Sequence, residues 1–251
     1  MNVQHAPLHD AGAARRSAHR LILGQAITGE LVAIENYARM IPLAHSTDDK
    51  LALLEEAVQE RAHIRILHGL GKMLDLGLID GAVSDPYWSR VRTAMDEIVA
   101  RSDLGAARFV QDFILESYAV TLYRAVLPYV EPVVRRKLEA IADDEQAHLV
   151  SGIAAFADVL ASDRARAFGI LDFGHSRVAR VLAEWIAPSE CRPLCGVCGA
   201  LGDRCGKPLL QEIQLDTSRL AADFADVYGS SLRDAGLSPA EALRYVAELV
   251  P

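Results

Sequence analysis

Apolar residues recur at three- and four-residue intervals along most of the chain, and turn residues separate the periodic stretches. The pattern predicts a helix over 17–44, with Leu23, Ala26, Ile27, Ala33, Ile34 and Tyr37 on one stripe. A second helix follows over 48–76, with Leu53, Ala57, Ile64 and Leu67 facing inward, and the segment 77–86 closes it. A short third helix covers 86–101 and carries Pro86 in its first turn. The fourth spans 104–127 around Phe109, Phe113, Ala119, Val120 and Tyr123, and the fifth spans 132–160 around Leu138, Ile141, Ala142 and Leu149. Helical period continues over 163–186, breaks at Pro188 and resumes over 208–235. Ser238-Pro239-Ala240-Glu241 then reads as an N-cap, a first-turn proline and an N3 glutamate opening a last short helix. Residues 1–16 hold no sustained period and read as a loose arm, and 17–251 read as one helical domain.

Ionisable residues sit inside four of these apolar stripes. They are Glu30, then Glu60 with His63, then Glu116, then Glu145 with His148. A lone glutamate precedes each Glu-x-x-His by 30 and 29 residues, so the chain holds an internal repeat. From Glu30 to its turn, and from the turn to Glu60, each arm is ~20 Å long at helical rise. An antiparallel hairpin therefore returns Glu60 to the height of Glu30, and the reversal over 128–132 does the same for Glu116 and Glu145. Within each Glu-x-x-His the two side chains share a helix face. The expected result is a four-helix bundle with four carboxylates and two imidazoles at one level.

Composition narrows the alternatives. The 251 residues are 51% hydrophobic but only 6% aromatic, which favours helices over a sandwich or barrel and suffices for a large core. The net charge of -8 comes from interspersed acids and bases, with no basic stripe, so nucleic acid is not an expected partner. No apolar run reaches membrane-spanning length, and the first residues lack a signal-peptide core, which predicts a cytoplasmic protein without a membrane span.

Four buried carboxylates without counter-charge would protonate or draw in water, whereas two divalent metals neutralise them. Oxygen and imidazole donors suit iron, with manganese as the alternative. One Glu from each of two helices plus a Glu-x-x-His from each of the other two is the ligand set of ferritin-like dimetal carboxylate proteins. A single Glu-x-x-His is usually a solvated pair; its repetition beside an apolar-face glutamate at matched spacing singles this set out. His19, His45, His68 and His175 have no matching partner, and Glu35, Glu55, Glu56 and Asp143 read as solvated faces. Asp144 is placed to support a ligating histidine. These residues point to dioxygen activation on a small-molecule substrate. The alternatives are an oxidase or N-oxygenase of a smaller polar substrate, and a non-catalytic metal-handling protein.

Residues from Ala26 to about Phe156 resemble the aldehyde-deformylating oxygenases, or long-chain fatty aldehyde decarbonylases. The resemblance rests on Gly29-Glu30 followed by Glu35-Asn36-Tyr37, Glu60-x-x-His63, Gln111 before Glu116 with Tyr123 after it, and Asp144-Glu145-x-x-His148. The stretch from Asp223-Phe224 through Tyr228-Gly229 to Gly236-Leu237-Ser238 is similar to that family's C-terminal part. The resemblance implies a ferritin-like fold and a di-iron site held by Glu30, Glu60, His63, Glu116, Glu145 and His148. Gln111 and Tyr123 are implied beside it. It further implies conversion of fatty aldehydes to hydrocarbon and formate, with electrons from an external donor such as a ferredoxin. Asp112, Ser117 and Arg124 stand where the family's helix is apolar and lines its substrate tunnel, and Leu70 stands at a family cysteine.

Residues 187–208 are an insertion relative to that family and hold every cysteine: Cys191, Cys195, Cys198 and Cys205. Four thiolates in a short Gly- and Pro-rich stretch suit one tetrahedral zinc, with an iron-sulfur cluster or a redox dithiol as alternatives. Either of the latter could pass electrons to a nearby dimetal site.

Overall fold

The computed structural model describes residues 11–77, 79, 86–186 and 215–250. Eight helices run through them: α1 (Ala11–Met40), α2 (Thr47–Met73), α3 (Pro86–Ala100), α4 (104–126), α5 (Pro132–Ser162), α6 (164–186), α7 (Thr217–Asp234) and α8 (Pro239–Val246). Helix α1 is already formed at Ala11, the first described residue, six residues before the expected start. The part of the expected arm before Ala11, and the cysteine segment 187–208, lie outside the described residues.

Local chemistry sets the helix ends. Ser46 accepts from the Asp49 amide at 3.0 Å and starts α2, and Asp103 accepts from Ala106 at 3.0 Å to start α4. Ser238 and Glu241 form the expected capping box at α8. Helix α7 ends in a Schellman turn: Gly236, at φ 105°, donates to Arg233 and Leu237 donates to Leu232.

Helices α4 and α6 each contain a π-helical segment, Phe109–Leu115 and His175–Ala179, which periodicity did not foresee. All seven residues of the first are buried. The close approach of α5 explains how it is packed: a Cβ on Gly152 would sit 2.2 Å from the Asp112 carbonyl oxygen. Only glycine lets the two backbones meet there.

Helices α1 and α2 form one antiparallel hairpin and α4 and α5 the other; α6, α7 and α8 pack on the α4–α5 side. The apolar interior falls into two clusters. One holds Val32, Tyr37, Leu53, Phe113 and Phe156; the other holds Ile27, Leu67, Leu70, Tyr123, Leu138 and Ile141. Along each bundle helix the change from one cluster to the other occurs at a charged residue: at Glu30, between Leu53 and Leu67 at Glu60 and His63, between Tyr118 and Tyr123 near Glu116, and between Ala142 and Phe156 at Glu145 and His148. The polar layer therefore divides the core.

Candidate metal centre

The hairpin arithmetic brings the six predicted residues together, all of them less than a tenth exposed. Donor atoms of Glu30, Glu60, His63 and Glu145 lie within 4.8 Å of one another, as do those of Glu60, Glu116, Glu145 and His148. Glu60 and Glu145 belong to both groups. The arrangement is two positions, each with its own glutamate and histidine, sharing two carboxylates.

The histidines aim Nδ1 inward. His63 Nδ1 lies 3.4 Å from Glu30, 3.3 Å from Glu60 and 3.1 Å from Glu145. His148 Nδ1 lies 3.5 Å from Glu60 and 3.4 Å from Glu145. Both Nδ1 atoms and both Glu60 oxygens complete no hydrogen bond. Lone-pair donors converging at one buried place without mutual hydrogen bonds are what a divalent cation satisfies.

The outer edges of the imidazoles are held crosswise. His63 Nε2 on α2 lies 3.2 Å from Asp144 on α5, and His148 Nε2 on α5 lies 2.7 Å from Gln59 on α2. Asp144 was expected in this role. Gln59 was not, although it precedes Glu60 as Asp144 precedes Glu145, so the repeat itself carried the signal.

Two neighbours fix the unshared glutamates. Tyr123 donates to Glu30. Gln111 donates to Glu116 at 2.8 Å and accepts from Asn36 at 2.8 Å, so a buried amide relay fixes its orientation. Burial and neighbouring carboxylates push Glu60, Glu116 and Glu145 above the ordinary carboxylate range. Burial opposes ionisation of Glu30 too, but His63, Glu60 and Tyr123 hold it lower. Burial disfavours a charged His63, yet contacts to Glu145, Glu30 and Glu60 raise it far above a free imidazole. Excess buried negative charge thus draws protons where no cation is bound.

A pocket opens on this layer between α1 and α4. Glu30, Glu60, Gln111, Glu116 and Glu145 form its polar floor, and Ala26, Ala33, Trp88, Leu115, Ala119 and Leu122 its walls. A second, almost wholly apolar pocket shares Gln25, Tyr118 and Leu122 with it and continues to Leu21, Ile22, Val126, Trp185 and Leu220. The three polar residues expected to interrupt this surface do not line it. Arg124 is exposed, the Ser117 hydroxyl is turned back to the Phe113 carbonyl at 2.6 Å, and Asp112 is buried elsewhere. Glu56, read as a solvated acid, is only 17% exposed and lies beside Arg108. His19, His45, His68 and His175 take no part in either group.

A helical bundle with a repeated Glu and Glu-x-x-His layer at the foot of an apolar pocket defines a ferritin-like oxygenase or oxidase. Residues 13–166, more than half the chain, match the long-chain fatty aldehyde decarbonylase family, and the protein belongs to that family. Its fold is similar to that of a Synechococcus protein described as having aldehyde deformylating oxidase activity, with a TM-score of 0.75 and 20% identity over 95% of this chain and 99% of the other. Among the described residues no helix is long and apolar enough to cross a membrane.

Proposed function

We propose that the protein is a di-iron oxygenase that converts an aldehyde to a hydrocarbon and formate, using dioxygen and electrons from an external donor of the ferredoxin kind. The observation that carries this reading is that Glu60 and Glu145 belong to both ligand groups directly beneath an apolar pocket. Glu30, His63, Glu116 and His148 complete the two positions, with iron favoured and manganese the alternative. A divalent metal pair held by these residues would supply redox and Lewis-acid chemistry at the pocket floor.

The chain's own residues do the rest. The apolar walls bind the alkyl part and exclude water, which orients the aldehyde carbon toward the carboxylate floor. Tyr123 Oη holds a proton against Glu30, and Gln111 Nε2 holds one against Glu116, so both carboxylates keep their orientation as charge changes. Asp144 and Gln59 fix the imidazole tautomers with Nδ1 inward.

Within the same reading Cys191, Cys195, Cys198 and Cys205 hold one zinc, with an iron-sulfur cluster as the alternative, and the protein works in the cytoplasm, where thiolates stay reduced. Metal analysis after iron loading tests the site: two irons and one zinc per chain are expected. Incubation with dioxygen, reductant and aldehydes of graded length is expected to release formate. Fewer than two irons overturns the dimetal assignment, and no formate from any aldehyde overturns the substrate.

A further inference from the structure

One helical turn from the candidate ligands lies another set of ionisable groups that the site described above does not use. Asp112 precedes Glu116 by four residues on α4, and Glu56 precedes Glu60 by four on α2. Arg108 is one turn further along α4, its Nε 3.2 Å from Asp112 and its Nη2 3.8 Å from Glu56. The Asp112 side chain is 3% exposed, Glu56 17% and Arg108 28%, so the set runs from the surface inward. Tyr37 of α1, fully buried, brings its hydroxyl beside Asp112 and within the field of Glu116 and Glu60. None of these residues lines the apolar pocket.

We propose that Glu56, Asp112 and Tyr37 form a proton entry path from the α2–α4 surface to the dimetal layer. The proposal rests on the oxygenase reading, in which dioxygen reduction consumes protons that an apolar pocket cannot supply. A proton taken from solvent by a Glu56 oxygen passes to an Asp112 oxygen as Asp112 gives its own to the Tyr37 hydroxyl, which releases its original proton toward the site. Each group ends as it began, and one proton has moved inward.

Three features favour a conduit over a structural ion pair. Asp112 Oδ1, Tyr37 Oη and Glu56 Oε2 are buried and complete no hydrogen bond, while the Arg108 ion pair at 3.2 Å engages only Asp112 Oδ2. A buried acid is costly where an apolar side chain would pack, so its presence on a wholly buried π-helical segment calls for use. Burial and the Glu56 charge, against the opposing Arg108, also raise Asp112 to about 8, near working pH. The charged groups facing it are Glu56 from α2 and Arg108 and Glu116 from α4; Tyr37 comes from α1, and Gly152 of α5 meets its backbone.

The test uses the iron-loaded full chain with Asp112→Asn, Asp112→Glu and Glu56→Gln, checked for two irons and native melting. Proton uptake on chemical reduction, followed with a pH indicator, needs no substrate. It is expected to slow at least about tenfold in Asp112→Asn, to slow in Glu56→Gln, to recover in Asp112→Glu and to be rescued by added imidazole. Formate release is expected to fall by about 10²-fold in kcat with KM for the aldehyde unchanged. Unaltered uptake in an iron-replete Asp112→Asn overturns the path. Loss of iron in Asp112→Asn with normal uptake in Glu56→Gln assigns a structural role and overturns it as well. If the wild type makes no formate, the substrate reading fails while proton uptake still decides the path.

Discussion

Asp144 on α5 grips the outer nitrogen of His63 on α2 at 3.2 Å, and the return contact, from Gln59 to His148, is made by an amide instead of a carboxylate. The two hairpins therefore build two similar but unequal candidate metal positions. A carboxylate makes its imidazole partner a stronger donor than an amide does.

Iron titration should consequently resolve two affinities. Asp144→Asn is expected to weaken the His63 position by about 10- to 100-fold, and Gln59→Ala to weaken the His148 position by less. Calorimetry on the metal-free protein checks this, and a single affinity unchanged by either substitution would contradict it.

Sharing also predicts an asymmetry between glutamates. Glu60→Ala is expected to abolish both irons, whereas Glu30→Ala and Glu116→Ala should each leave about one iron per chain. Elemental analysis reads the counts directly.

The buried acids make stability depend on pH. Asp112 titrates at about 8 in the folded chain against an ordinary 3.8, so between those values the unfolded chain binds fewer protons and stability falls as pH rises. The loss is ~1.4 kcal/mol per pH unit for one such group, and it is complete above the folded value. Metal-free wild type should melt lower at pH 8 than at pH 5, and Asp112→Asn should flatten that slope. An identical slope in the variant would refute the assignment.

Gly152→Ala should be disruptive, because its Cβ would meet the Asp112 carbonyl at 2.2 Å and neither backbone can yield cheaply. A loss of about 1–3 kcal/mol in chemical denaturation is expected, together with weaker iron binding as α5 moves away from α4.

Most of this site was legible in the chain because it obeys a repeat. Helical rise sets Glu30 level with Glu60 and Glu116 level with Glu145, and the shared Glu-x-x-His chemistry of the two hairpins supplies the register between them. Gln59 escaped although it precedes Glu60 as Asp144 precedes Glu145, because an amide does not announce itself as a histidine partner as a carboxylate does. Asp112 and Arg124 were grouped together by their polarity, yet the structure buries one and exposes the other. The π-helical segment changes which residues of α4 face inward, and period-3.6 reasoning has no means of placing such an offset. Glu56 looked solvated because nothing in α2 itself shows that Arg108 of α4 would lie beside it.

The division of the core at the carboxylate layer gives the bundle a seam. Each apolar lobe holds itself together by packing, and the four bundle helices run unbroken across the seam, where buried carboxylates repel one another and the imidazoles offset them only in part. The weakest side-chain packing between these helices therefore falls at mid-bundle, on the candidate metal layer itself. Cations held by the proposed ligands would act as a rivet through the middle of the four helices, fastening them at the one level where packing alone does not.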